Sequence, residues 1–144
     1  MLSLRYDPTL RECDLVWDGE RLEEEDPLLT AILVSLFTDQ RVTGGEVPAG
    51  VGLGGWWGEA FPEDPADSEG SRIWAVRARG RADSATCREI EGAARECLAW
   101  LLEDTVCTSV TAAAAVIRSG TIGLTVRAIA ADDQREVVFT TELG

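Results

Sequence analysis

Apolar residues recur at every second position through much of the last third of the chain. Val110, Ala112, Ala114 and Val116 share one face of an extended segment. After Ser119-Gly120 the same spacing returns at Ile122, Leu124, Val126 and Ala128, and Asp132-Asp133 leads into Val137-Val138-Phe139. A period of two belongs to half-buried strands, and the polar pairs between the runs are turn signals. The pattern predicts a three-stranded antiparallel meander whose last strand is an edge, open to strand addition.

Upstream the period changes to three and four. Cys87, Ile90, Ala94, Cys97, Leu98 and Leu101 form one stripe, which predicts a helix from Asp83 or Ser84 to Glu103 with Trp100 off the stripe's centre. Thr86 and Glu89 have capping-box spacing but fall a turn late. A second helix is predicted over residues 27–39. Asp26 suits its N-cap, Pro27 its first turn, and the acidic run Glu23-Glu24-Glu25-Asp26 the positive end of its dipole. Leu28 to Phe37 is apolar nearly all round, so this helix is covered on more than one side, within the domain or by another subunit.

The remaining segments are less regular. Residues 1–25 read as short strands, with Leu15-Val16-Trp17, Asp18-Gly19 and Glu20-Arg21-Leu22 spaced as a two-residue hairpin. Residues 42–70 make a long glycine-rich connection, and a connection of that length tends to carry function. Ser71 to Arg79 fits either a strand or the start of a helix. The fold class expected is α+β in a single domain over residues 1–144: two main helices on a C-terminal meander, an N-terminal hairpin and a long Gly/Trp-rich loop.

Composition narrows the chemistry. The 144 residues include no histidine, and all 13 basic residues are arginine. Without histidine there is no Ser-His-Asp or Cys-His catalysis and no usual zinc hydrolase ligand set; without lysine there is no P-loop lysine or Schiff base. No cofactor is expected. Gly50-Val51-Gly52-Leu53-Gly54-Gly55 matches a dinucleotide fingerprint on paper, but no strand precedes it and Pro62 and Pro65 interrupt any following helix. A net charge of −13 argues against nucleic acid and anionic membrane as partners. No apolar run approaches the ~20 residues of a membrane span, and the N-terminus lacks the pattern of a secretion signal. Arg72, Arg77, Arg79 and Arg81 are expected to pair with the chain's own acids or a partner's. Cys87 and Cys97, ten positions apart on one helix, are separated by about 15 Å, beyond disulfide reach. With no CxxC present, Cys13, Cys87, Cys97 and Cys107 read as free thiols in a reducing compartment.

The aromatic segment carries the functional signal. Gly55-Trp56-Trp57-Gly58-Glu59 and then Gly70-Ser71-Arg72-Ile73-Trp74 place large rings among residues with almost no side chains, so the rings must cover a groove, a partner or a flat ligand. Three features occur in order: the apolar helix ending Leu36-Phe37-Thr38-Asp39-Gln40-Arg41, these two blocks, and the helix ending Cys97-Leu98-Ala99-Trp100-Leu101. The combination resembles the Mu-type phage baseplate proteins, related to the sheath-initiating wedge protein of contractile tails. The resemblance spans about residues 13–140, with Glu59 standing where the family pattern has aspartate. It implies a non-enzymatic virion component, assembled in the host cytoplasm. Such a component contacts other wedge proteins, extending to tail sheath and hub or tube proteins, and helps to seat the first sheath ring on the tail tube. Trp56, Trp57, Gly58, Glu59, Gly70, Ser71, Arg72 and Trp74 are the family-typical positions, structural or interfacial in character; Arg72 either meets a partner or holds the long loop through an internal carboxylate.

A glycan hydrolase is the competing reading, since tryptophans stack on sugars and Glu59, Glu63, Asp64, Asp67 and Glu69 offer an acid and a base. That chemistry needs one carboxyl with a raised pKa and a second at about 5–9.5 Å. Five carboxylates near Pro62 and Pro65 suit a solvated loop better. Adjacent side chains of an extended chain point to opposite faces, so one of Trp56 and Trp57 is expected in the core and the other at a subunit contact.

Overall fold

The computed structural model describes residues 4–7, 9, 12–15, 17, 19–20, 26–55 and 69–144. Two short strands, β1 (Leu4–Asp7) and β2 (Glu12–Leu15), pair antiparallel with Leu4 opposite Leu15. This hairpin turns earlier than the one predicted at Asp18-Gly19. The Asp7 carboxylate accepts the Thr9 amide at 2.7 Å, the side-chain bond that favours a turn there. Val16, Asp18, Arg21 and Leu22 of the predicted pairing, and the acids Glu23 to Glu25, lie outside the described residues.

Helix α1 (Pro27–Phe37) begins as its sequence dictates: the Asp26 carboxylate accepts the Leu28 amide at 2.9 Å and Pro27 occupies the first turn. Leu28, Ile32, Leu33 and Leu36 are buried, while Val34 is 48% exposed. The apolar surface therefore exceeds what the core of described residues covers. Helix α2 (Ile73–Ala78) resolves the choice at Ser71 to Arg79 in favour of a helix.

The predicted helix to Glu103 is interrupted. Helix α3 (Ser84–Cys97) closes at Leu98, tight three-residue turns join Ala99 to Glu96 and Leu101 to Leu98, and a short α4 (Trp100–Glu103) follows. Its start is set by Asp83, whose carboxylate accepts the Thr86 amide at 2.8 Å and the Thr86 hydroxyl at 2.9 Å. Thr86 is thus the capped residue, which is why the Thr86–Glu89 pair fell a turn late. Ile90, Ala94, Leu98 and Leu101 are fully buried, whereas Trp100 is 39% exposed.

Strands β3 (Cys107–Arg118), β4 (Thr121–Ala130) and β5 (Glu136–Leu143) form the antiparallel meander in the order β3-β4-β5. Val126 faces Ala112 on one side and Phe139 on the other. Ile122, Leu124, Val126 and Ala128 of the central strand are all but inaccessible, and burying each of the larger ones contributes about 1.5–3 kcal/mol. The turns stand at Ser119-Gly120 and around Asp132-Asp133. Val116 departs from the alternation: it lies on the inward face but is 45% exposed near the end of β3. The side chains of α1, α2, α3, α4 and the sheet meet in one core cluster running from Leu28 to Phe139, and Phe37 stands edge-on to Phe139 at 5.9 Å. No helix among the described residues is long and apolar enough to cross a membrane.

Candidate functional site

Residues 69–74 are bound into the rest of the molecule by directional contacts. Ser71 lies beside Asp39 in a parallel bridge; its amide donates to Thr38 O at 2.8 Å and its carbonyl accepts the Gln40 amide at 3.1 Å. Its buried hydroxyl donates to Leu36 O at 2.6 Å, taking up one of the carbonyls that the end of α1 leaves without a helical partner. Gly70 has a φ of +92°, and a Cβ there would overlap the Thr38 carbonyl, so only glycine allows the two chain segments to approach this closely.

Trp74 performs the same task further along. Its indole N–H donates to Gln40 O at 2.9 Å, and its ring packs on a second small cluster formed by Val42, Val47 and Ala75. Gly54, at φ +64°, gives the ring its room: a Cβ at that position would lie inside it. The Val42 amide donates to Leu53 O at 2.9 Å and closes the loop.

Arg72 bridges two carboxylates, Glu46 of the loop at 3.1 Å and Glu96 of α3 at 2.6 Å. The Thr43 amide and hydroxyl, and then Arg72, hold the Glu46 carboxyl below its ordinary pKa. The hydrogen bond from Arg72 to Glu96 is the main cause that raises the guanidinium's own pKa. Arg79 adds Glu46 O at 3.1 Å and Glu89 at 2.6 Å, and Arg77 donates to the carbonyls of Arg81 and Gly120. Two arginines of the cluster thus meet the chain's own acids, and a third meets carbonyls.

Trp56, Trp57, Gly58 and Glu59 lie outside the described residues, as do Glu63, Asp64 and Asp67. The structure brings Gly70, Ser71, Arg72 and Trp74 together as a junction. The partners that complete it, Gln40, Glu46 and Glu96, carry no local sequence signal.

Beside the junction runs a groove of about 530 Å³ between α1 and the α3–α4 bend. Thr30, Ala31, Val34, Ser35 and Thr38 form one wall, Cys97, Trp100 and Asp104 the other, and Glu69 and Gly70 one end. The Trp100 indole N–H donates to Ser35 Oγ at 3.1 Å and pins the two walls together. The Cys97 thiol donates to Ala94 O at 3.3 Å, and burial pushes its pKa up to about 12, so it stays protonated and unreactive at neutral pH. Cys87, Cys97 and Cys107 are free thiols. Among the described residues no three of His, Cys, Asp and Glu are grouped to hold a metal ion. The two hints that sequence offered for this groove were an α1 apolar on too many sides and a Trp100 off its stripe.

The family model described as phage protein GP46 matches residues 28–135, from the start of α1 to the turn before β5. The chain is 36% identical over 90 residues to the baseplate protein gp46 of Escherichia phage Mu, covering 61% of this chain and 59% of that protein. It is 34% identical over 99 residues to the Mu-like prophage FluMu protein gp46 of Haemophilus influenzae, covering 69% and 65%. The match therefore spans a little under two thirds of each relative. With more than half of its length matched by the model, this chain belongs to the phage protein GP46 family.

Proposed function

We propose that this chain is a structural, non-enzymatic subunit of a phage tail baseplate, assembled in the host cytoplasm and carried in the virion. In this reading it is a wedge component that contacts other wedge proteins and starts the contractile sheath around the tail tube. The name of the phage Mu relative supports the baseplate assignment. The sheath assignment rests on one observation, the unequal treatment of the two sheet edges.

The outer edge of β3 is blunted. Register shifts between Cys107 and Ser109 and between Val116 and Arg118 distort it, and the Glu91 carboxylate of α3 takes the outward amide of Ala114 at 2.9 Å. That bond fixes which residues point outward. The even residues of β3 face away from β4, so by the register the even residues of β5 face away from β4 as well. Strand β5 runs through eight consecutive pairs without a bulge, and no described strand adjoins its outer edge. The amides of Val138 and Thr140 thus stand ready for an added strand, such as an arm of the first sheath subunit.

The test is Thr140→Pro. Proline at an outward position removes one edge donor and leaves the β4–β5 ladder intact. The variant should fold, with circular dichroism like the parent's, and should fail to nucleate sheath rings in a co-assembly assay viewed by electron microscopy. A folded Thr140→Pro that nucleates rings as the parent does would remove the sheath assignment. Clearing of a peptidoglycan suspension by the purified chain would remove the non-enzymatic one.

A further inference from the structure

The groove between α1 and the α3–α4 bend has a composition that specifies an occupant. Its floor is apolar: Ala31 and Val34 face Trp100, and Val34 keeps 48% and Trp100 39% of their surface in water. Its rim is acidic, with Glu69 at one end and Asp104 on the far wall. No arginine among the described residues lines it, and the chain has no lysine to supply a counter-charge. The hydroxyl of Thr30, a residue on this wall with 8% of its surface exposed, has no hydrogen-bond partner among the described residues. At about 530 Å³ the groove falls in the size range of side-chain and ligand pockets, roughly 300–1,000 Å³.

We infer that this groove receives an apolar anchor side chain of a second baseplate protein, from a segment that carries arginine or lysine next to the anchor. The anchor replaces water over Ala31 and Val34. The adjacent cation lies over the Trp100 indole face, where the ring quadrupole attracts it, and donates to Asp104 or Glu69. A second copy of this chain is a poor occupant, because two chains of −13 repel each other. The baseplate origin of the partner rests on the function proposed above; the chemistry of the segment rests on the groove alone.

The probes are two acetylated six-residue peptides, one alternating leucine with arginine and the other alternating leucine with glutamate. Each is titrated into the full chain, followed by anisotropy and by the NMR signals of the Val34 methyls and the Trp100 indole. The arginine peptide should bind about tenfold or more tighter than its glutamate counterpart and shift both signals. Removing the rim charge with Glu69→Gln and Asp104→Asn should weaken it about three- to tenfold. Removing the same charge elsewhere, with Glu20→Gln and Asp132→Asn, should change it less than about twofold. Val34→Ser, at a half-exposed position that leaves the fold in place, should weaken both peptides.

Equal loss from the two charge-removing pairs, or binding without movement of the Val34 and Trp100 signals, would overturn the assignment by reducing it to general attraction. The sheath assay separates this result from the functional reading. If Thr140→Pro still nucleates rings while the rim variants lose the peptide, the sheath assignment falls and the groove assignment stands.

Discussion

The C-terminal sheet and the junction at residues 69–74 are both ordered, yet by opposite physics. In β4 the order comes from apolar burial, which is non-directional and spread over Ile122, Leu124, Val126 and Ala128. At the junction it comes from a few aimed bonds, Ser71 to Leu36 O, Trp74 to Gln40 O and Arg72 to two carboxylates, and from two glycines that let backbones and a ring approach. The first kind tolerates exchange of one apolar side chain for another of similar volume. The second kind fixes each residue by type, because a bond depends on a particular atom at a particular place.

The largest expected effect breaks the sheet. Leu124→Asp puts an unpaired charge at a position with 1% exposure, which costs several kcal/mol and should leave the chain unfolded by circular dichroism at 25 °C. A cooperative melt near the parent's would show that the register of β4 is wrong. Next comes Gly70→Ala, which forces a side chain into a left-handed conformation and onto the Thr38 carbonyl. The backbone conformation alone should cost about 1–3 kcal/mol, measured by urea unfolding.

Ser71→Ala removes the hydroxyl that satisfies Leu36 O and should cost about 1–2 kcal/mol in the same assay. Arg72→Ala sharpens the contrast from the other side: its ion pairs are largely exposed, so Tm should fall by no more than about a few degrees. Loss of binding to a baseplate partner by a folded Arg72→Ala would make this arginine an interface residue as well as an internal bridge.

Acid gives the mildest test. The Thr43 amide first, then its hydroxyl and Arg72, favour the ionised form of Glu46. A carboxyl lowered in this way stabilises the fold fully above its ordinary pKa and loses that contribution as pH falls through the lowered value. The loop at Thr43–Glu46 should therefore loosen below about pH 4, while the amides of β4 remain protected. Hydrogen exchange corrected for the intrinsic rate checks this, and Glu46→Gln should abolish the loop's pH dependence.

The same contrast explains what could be read from the chain alone. The meander, α1 with its Asp26–Pro27 start, and the buried stripe of α3 were legible because periodicity reports a face that must leave water. The break at Leu98 was not, since Cys97, Leu98 and Leu101 keep helical spacing through it. Short strands near the N-terminus were legible too, but not the pairing of residues 4–7 with 12–15, where the Asp7–Thr9 bond gives no periodic signal. The Gly-Ser-Arg-Ile-Trp block stood out as a motif, but its partners come from 24 to 35 positions away. Sequence spacing carries no signal across that distance.

The unequal edges of the sheet have a consequence for how copies of this chain can add to one another. In the language of polymer chemistry, a subunit grows a fibre only if it is bifunctional, with one end to accept the next unit and another to offer itself. Glu91 and the two register shifts take one end of this three-stranded sheet out of reaction, leaving β5 as its single reactive edge. Through this sheet the subunit is monofunctional. Strand pairing between two of them closes at a dimer, and pairing with a longer chain of other subunits marks that chain's end.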